Sequence, residues 1–286
     1  MRFIVGYTST PTGRDALALG ARLAKAADAQ LDLVLVLGRS EAVGTADYQA
    51  KLHATAEGWL AEAAATVPGD VRIQTHLIDA ESFAEGLLDA SRELEARFLV
   101  IGAAHGGLLG RVSTGSVAGA LLHSAEVPVV LAPSGWASRP YAMTVPISRV
   151  SCAIGTRSGA QHLLEEAIGV TRRLGAPLRL LSLVALDRAG SVAPPEAVEA
   201  GREHAESLLA AATEVLPADI EVSTEVAAAP GVEAAVASID WDPDEVVLLG
   251  SSRLASPKRL FLGATAAQML RELPVPVVVV PSAPAK

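Results

Sequence analysis

The sequence predicts an α/β fold made of two tandem, open, mostly parallel five-stranded sheets with helices on both faces. Apolar strand-like runs alternate with amphipathic helical segments along the chain, which is typical of βαβ units and parallel sheets. The 286 residues exceed what one hydrophobic core organises well, which favours two domains of about 140 residues each. The same series of elements, marked by the same glycines and prolines, also occurs twice.

The first half contains five predicted strands and four predicted helices. Residues 15–27 carry leucines with helical spacing and basic residues between them, whereas residues 31–37 read Leu-Asp-Leu-Val-Leu-Val-Leu, a buried strand. On these criteria we predict strands at 2–7, 31–37, 71–78, 98–101 and 127–131. The predicted helices cover 15–27, 46–67, 83–96 and 116–124.

The second half repeats this series. Its predicted strands cover 150–154, 178–186, 220–226, 245–249 and 275–280, and its predicted helices 161–174, 195–216, 232–239 and 265–273. At one constant spacing, Gly102, Gly115, Pro128 and Pro133 meet Gly250, Gly263, Pro276 and Pro281. Residues 134–146 show no clear period and contain one glycine and two prolines. We therefore predict domains at 1–135 and 148–286, joined by a linker at 136–147.

Composition narrows the function classes. The net charge of -9 argues against binding to nucleic acid, which needs cations to neutralise phosphates. The single cysteine, Cys152, excludes an intrachain disulfide and fits a reducing compartment. Its place inside a predicted strand indicates a buried packing residue. Neither a signal peptide nor an apolar run long enough to span a membrane is evident, so we expect a cytoplasmic protein without a membrane partner.

A glycine-rich loop after the strand at 98–101 predicts an anion site. The loop runs from Gly102 to Gly115 and is followed at Ser116 by a helix. Glycines let a backbone approach phosphate closely, and a helix N-terminus offers free N–H groups. The alternative is that the glycines only serve turn geometry. Two side chains of the loop also have two interpretations: His105 and Arg111 are either phosphate ligands or solvated loop residues.

The loop resembles the nucleotide motif of the universal stress protein family, which is Gly, two residues, Gly, nine residues, Gly-Ser/Thr. Gly102 and Gly115-Ser116 occupy its outer positions, His105 occupies the middle glycine position, and Gly106 is displaced by one. The sequence that follows, Ser116-Val-Ala-Gly-Ala-Leu-Leu-His-Ser-Ala-Glu-Val-Pro-Val-Val, resembles the family's closing helix and last strand. Since the order of elements also fits, the resemblance to the tandem two-domain form covers nearly the whole chain.

The resemblance implies a Rossmann-like, adenine nucleotide alpha-hydrolase-like fold and a regulatory module of the stress response. It implies binding of an adenine nucleotide, ATP with magnesium, chiefly in the first domain. The implied binding residues are Thr8, Val36, Gly102, His105, Gly106, Arg111, Gly115, Ser116 and Val117. It further implies an intrachain pseudo-dimer formed through the last strands at 127–131 and 275–280, with a homodimer left open.

The chain also departs from the family pattern. Nucleotide-binding members end the first strand in an Asp, where this chain has Thr8 and, in the second half, Gly155. In the second half Gly263 is followed by Ala264, so that site loses a hydroxyl and is interpreted as degenerate. Two alternatives therefore remain open. The protein could be a structural or interaction module that binds no nucleotide, or a slow ATP hydrolase, although no metal ligand set or catalytic residue is evident.

Overall fold

The chain forms two compact units, Met1–Pro146 and Ile147–Lys286, called the first and second unit below. The computed structural model describes residues 1–39, 46–103, 115–155, 160–185, 194–251 and 264–281. Within these residues no helix is long and apolar enough to cross a membrane. Each unit contributes five parallel strands, so the two units can be compared strand by strand.

The first unit holds its strands in the order β3-β2-β1-β4-β5, and all neighbouring strands are parallel. The strands are β1 (Arg2–Gly6), β2 (Gln30–Gly38), β3 (Ile73–Ala80), β4 (Phe98–Gly102) and β5 (Val129–Ala132). The helices are α1 (Pro11–Ala26), α2 (Ala46–Ala65), α3 (Phe83–Glu93) and α4 (Ser116–Ser124). The strand order reverses between β1 and β4. In open α/β sheets, ligands bind beside such a reversal, at the carboxyl ends of the strands.

The second unit repeats this topology in the order β8-β7-β6-β9-β10, again with parallel neighbours. Its strands are β6 (Val150–Ala153), β7 (Leu178–Ala185), β8 (Val222–Ala229), β9 (Val246–Gly250) and β10 (Val277–Val280). Its helices are α5 (Ala160–Leu174), α6 (Pro195–Glu214), α7 (Val232–Ala237) and α8 (Ala264–Glu272). The predicted α/β fold of parallel sheets and helices is therefore confirmed.

Aliphatic side chains fill both cores, as expected from the few aromatic residues. Ile4, Leu33 and Leu99 are fully buried in the first unit, and Leu180 is fully buried in the second. Cys152 is also completely buried, and burial raises the pKa of its thiol to about 12. This burial confirms the prediction of a packing cysteine. A neutral thiol without solvent access is also a poor nucleophile.

Helix α1 begins earlier than the sequence predicts, at Pro11 instead of residue 15. Its N-cap is Thr10, whose hydroxyl accepts a hydrogen bond from the N–H of Gly13 at 3.4 Å. The Pro-Thr-Gly stretch suggests a turn, but proline suits the first position of a helix because its ring fixes φ and its missing N–H is not needed there. The first turn of α1 thus reaches the carboxyl edge of the sheet.

The segment predicted as a linker packs against α1. It contains a short 3-10 turn, Trp136–Ser138, and the Trp136 side chain is only 2% exposed. An indole ring buries a large apolar area when it packs against a helix, which favours this docking over a free linker.

Candidate functional site

The carboxyl edge of the first sheet brings together the ends of β1, β2 and β4. Thr8 follows β1 and belongs to the turn that starts α1, since its carbonyl accepts the N–H of Thr10 at 2.7 Å. The hydroxyl oxygens of Thr8 and Thr10 are also 2.8 Å apart. Thr8 stands where the resemblance leads us to expect a carboxylate in nucleotide-binding members. Its hydroxyl is neutral and is hydrogen-bonded to that of Thr10.

Gly102, at the end of β4, is required by packing. A Cβ at this position would overlap the carbonyl oxygen of Thr12 in α1 and would lie 2.6 Å from the Thr12 Cγ2. Gly13 packs in the same way, because a Cβ there would overlap the carbonyl of Thr8. These close approaches hold the start of α1 between the ends of β1 and β4.

Helix α4 begins at the other end of the glycine-rich loop. Gly115 is its N-cap, with φ -76° and ψ -179°, and makes no side-chain capping hydrogen bond. Ser116 is the exposed first residue of the helix, and Val117 is half-buried behind it. An α-helix leaves its first N–H groups without intrahelical partners, and here no N-cap side chain accepts them. The start of α4 therefore has the donors that an anion needs.

Three residues of the predicted site, His105, Gly106 and Arg111, lie outside the described residues. Another residue of the predicted site, Val36, is described. It lies near the end of β2 and is 9% exposed. Its side chain faces α3, where a Cβ at Gly86 would lie 2.7 Å from the Val36 Cγ1. The structure thus brings Thr8 and Gly102 together through α1, while Val36 packs under α3.

A cluster of polar side chains that the sequence did not predict lies at the same edge of the sheet. In α2, the His53 Nδ1 lies 2.9 Å from the carbonyl oxygen of Gln49, and its Nε2 lies 3.0 Å from a carboxylate oxygen of Asp79 in β3. Both ring nitrogens face acceptors, so both hydrogen bonds form only when the imidazole is protonated. The hydrogen bond to the Gln49 carbonyl, followed by that to Asp79, raises the pKa of His53.

Arg39 joins this group from the end of β2. Its guanidinium donates to the carbonyl of Asp79 at 3.0 Å, and its backbone N–H donates to the carbonyl of Ala80 at 2.8 Å. Only the pairing of β2 with β3 brings these residues together, so no local sequence pattern could have revealed the group.

At the corresponding edge of the second unit, Gly155 and Gly250 make looser contacts with the described residues. A Cβ at Gly250 would lie 3.4 Å from the Leu163 Cδ2, an ordinary contact, and one at Gly155 would meet no atom of the described residues within 4 Å. Helix α5 starts at Ala160, and the loop after Ser251 lies outside the described part of the chain up to residue 263. Among the described residues, these two glycines make no contact as tight as those that hold α1, and residue 159, which corresponds to Thr12, lies outside the described residues.

Two repeated units, each with a glycine-ended strand beside the reversal of a parallel sheet, define a tandem α/β protein of the adenine nucleotide alpha-hydrolase-like type. The universal stress protein family matches this chain twice, at residues 1–133 and 146–281. The chain therefore belongs to the universal stress protein family, as a tandem member.

Relatives agree with this assignment. The universal stress protein Rv2319c of Mycobacterium tuberculosis is 29% identical over 98% of this chain and 100% of its own length. A universal stress protein structure from Archaeoglobus fulgidus has a TM-score of 0.68 at 19% identity, covering 99% of this chain and 98% of that one. A putative universal stress protein from Pseudomonas aeruginosa has a TM-score of 0.59 at 18% identity, covering 98% and 92%. These likenesses to solved structures concern the fold alone.

Proposed function

We propose that the first unit binds an adenine nucleotide, ATP, at the carboxyl edge of β1, β2 and β4. The observation that carries this proposal is the start of α4. There a glycine N-cap without a side-chain acceptor ends the loop that leaves β4, and the following residue, Ser116, adds an exposed hydroxyl. A phosphate group would satisfy the N–H groups that no capping side chain satisfies.

The proposal gives each site residue a role. Ser116 and the N–H of Val117 bind phosphate, and Gly102 and Gly106 shape the loop. His105 and Arg111 supply donors to the phosphates, which an arginine fork fits well. Thr8 faces the ribose in place of the family's carboxylate, and the end of β2 near Val36 packs against the adenine. Magnesium would be held by the phosphates of ATP.

Mass spectrometry and calorimetry test the proposal together. The protein is purified without added nucleotide and denatured, and the supernatant is analysed by absorbance and mass spectrometry. We expect ATP or another adenine nucleotide in the supernatant, or else about one binding event per chain when ATP is titrated into nucleotide-free protein. Absence of nucleotide in the supernatant, combined with no heat of binding, would contradict the proposal.

A second function, that of an interaction module without nucleotide, is favoured by one observation. The fit of Gly102 against Thr12 explains that glycine by packing alone, and the Thr8 and Thr10 hydroxyls already bond each other. The titration distinguishes the two functions, because the interaction module would bind no ATP in either unit.

A further inference from the structure

Helix α1 extends from the candidate site to the segment that ends at the unit boundary. Two turns of this helix contact that segment, residues 133–146. Asp15, one turn after the start of α1, is 3% exposed. Its two carboxylate oxygens accept the backbone N–H groups of Gly135 at 2.9 Å and Ala137 at 2.8 Å. Charge-assisted hydrogen bonds of this kind are roughly twice as strong as neutral ones.

Further along α1, Arg22 holds the same segment at a second place. Its guanidinium donates to the carbonyl of Pro146 at 2.6 Å and lies 5.4 Å from the ring centre of Trp136. The guanidinium of Arg139 lies 4.2 Å from the same ring. The indole thus contacts two cations, and both contacts stabilise the docked segment.

The docked segment has an exposed turn between these two anchors. Tyr141 adopts φ 58°, and its carbonyl accepts the N–H of Thr144 at 2.9 Å and that of Val145 at 3.2 Å. The residue is 77% exposed. A left-handed tyrosine is uncommon, and the hydrogen bonds around it keep it in place.

The other end of α1 is fixed at the candidate site, where Gly102 and Gly13 leave no room between the helix and the ends of β4 and β1. A ligand bound there touches residues that pack directly against the first turn of α1. Because a helix is a stiff element, restraining its first turn also restrains Asp15, one turn further on.

The sequence of the second unit lacks the two side chains that make these contacts. With Thr8 aligned to Gly155, Asp15 corresponds to His162 and Arg22 to Gly169. Neither residue in α5 could hold backbone N–H groups as a buried carboxylate does, or stack on an indole as an arginine does.

We propose that α1 couples the nucleotide site to residues 133–146, so that nucleotide binding tightens the hydrogen bonds between Asp15 and that segment. This coupling rests on the proposed function. Coupling between two sites is reciprocal. Nucleotide therefore protects the segment from opening, and loss of the Asp15 contacts weakens nucleotide binding by the same factor.

Hydrogen exchange and calorimetry on the full chain test the coupling in parallel. With saturating magnesium and ATP, we expect the amides of Gly135 and Ala137 to exchange at least about fivefold more slowly. Asp15→Asn retains one of the two acceptors, so one of the two hydrogen bonds to the segment is lost. We expect the amides of Gly135 and Ala137 to exchange fast in this variant whether or not ATP is present. The affinity for ATP should fall by the same factor. If this variant does not fold, Trp136→Leu loosens the segment without changing α1 and is expected to behave alike.

Asp219→Asn is the matched control, since Asp219 is an exposed carboxylate paired with Arg172 in the second unit. It should change neither exchange at residues 133–146 nor ATP affinity. The coupling is overturned if ATP binds but exchange is unchanged, or if the variants bind ATP with wild-type affinity. If the wild type gives no heat of binding, the proposed function itself is wrong, and the coupling that rests on it is wrong as well. The titration alone identifies this outcome.

Discussion

The two units place buried charges at matching positions but with opposite signs. In the first unit, Asp32 of β2 is fully buried and accepts hydrogen bonds from Arg2 at 3.1 Å and His76 at 2.8 Å. The matching residue of β7, by strand register, is Arg179. It is 3% exposed and donates to Glu245 at 3.0 Å.

The reversal extends to β9, on the other side of β6. Glu245 precedes β9 at the position where Arg97 precedes β4. Burial raises the pKa of Glu245, while Arg149 and Arg179 oppose this shift. The fold therefore requires a partner for a charge buried at these positions, but it does not require that the charge be positive or negative. This amino edge lies opposite the candidate site, so the reversal leaves the site chemistry unaffected.

Removing one partner in each unit gives the largest expected effect. Glu245→Ala leaves Arg149 without its carboxylate and leaves Arg179 with Glu225 as its carboxylate partner, at 2.7 Å. The change should lower the free energy of unfolding by about 3 kcal/mol, the lower end of the cost of breaking a buried ion pair. Asp32→Ala should cost less, because the Arg2 side chain is 37% exposed and can be hydrated. Urea denaturation measures both losses. Equal losses in the two units would contradict this account of the charges.

Alanine at the two strand-ending glycines comes next in size. Gly102→Ala forces the Thr12 backbone away and should cost roughly 1–3 kcal/mol, the usual range for overpacking. Among the described residues, a Cβ at Gly250 meets only an ordinary contact at 3.4 Å, so Gly250→Ala should be neutral or slightly stabilising, since alanine restricts the unfolded chain. Thermal unfolding of the two variants provides the comparison. A larger loss for Gly250→Ala would mean that the contrast between the two edges is wrong.

The smallest effect concerns pH and the exposed His53–Asp79 pair of the first unit. Because the pKa of His53 is raised in the folded protein, its contribution to stability is fully present below the unfolded value, about 6.5. The contribution is lost as pH rises through the folded pKa. Urea midpoints of the wild type and His53→Asn should therefore differ most in acid and converge in base. A gap that widens with increasing pH would contradict the assigned hydrogen bonds.

The fold was predictable because its signals are local. The start of α4 at Ser116 follows from a glycine-serine pair before an apolar segment, and the predicted bounds 116–124 agree with the helix. The start of α1 was missed because Pro11 and Gly13 suggest a turn, and the structure shows that proline fills the first helical position. Strand ends differed by a few residues, as at β5, because parallel pairing and not local pattern sets them.

The site was less accessible to sequence reasoning. The predicted glycine Gly102 is placed at the sheet edge, but its close contact with α1 depends on how helix and strand pack. The His53–Asp79 pair and the docking of Trp136 depend on residues far apart in sequence. A single chain offers no local pattern for such contacts, so they appeared only in the structure.

The most direct test of the central claim, that the first unit holds the working site, is calorimetric titration of ATP into two matched variants. Gly115 adopts an extended backbone that valine also adopts, so Gly115→Val should fold while its branched side chain blocks approach of phosphate to the helix start. The second loop lacks the Ser116 hydroxyl, because Gly263 is followed by Ala264. A lost hydrogen bond to a charged group costs about 1.5–3 kcal/mol, so the second site should be roughly ten- to a hundredfold weaker. We predict about one strong site per chain, abolished by Gly115→Val and retained by Gly263→Val. Loss of binding in Gly263→Val with retention in Gly115→Val would contradict the account.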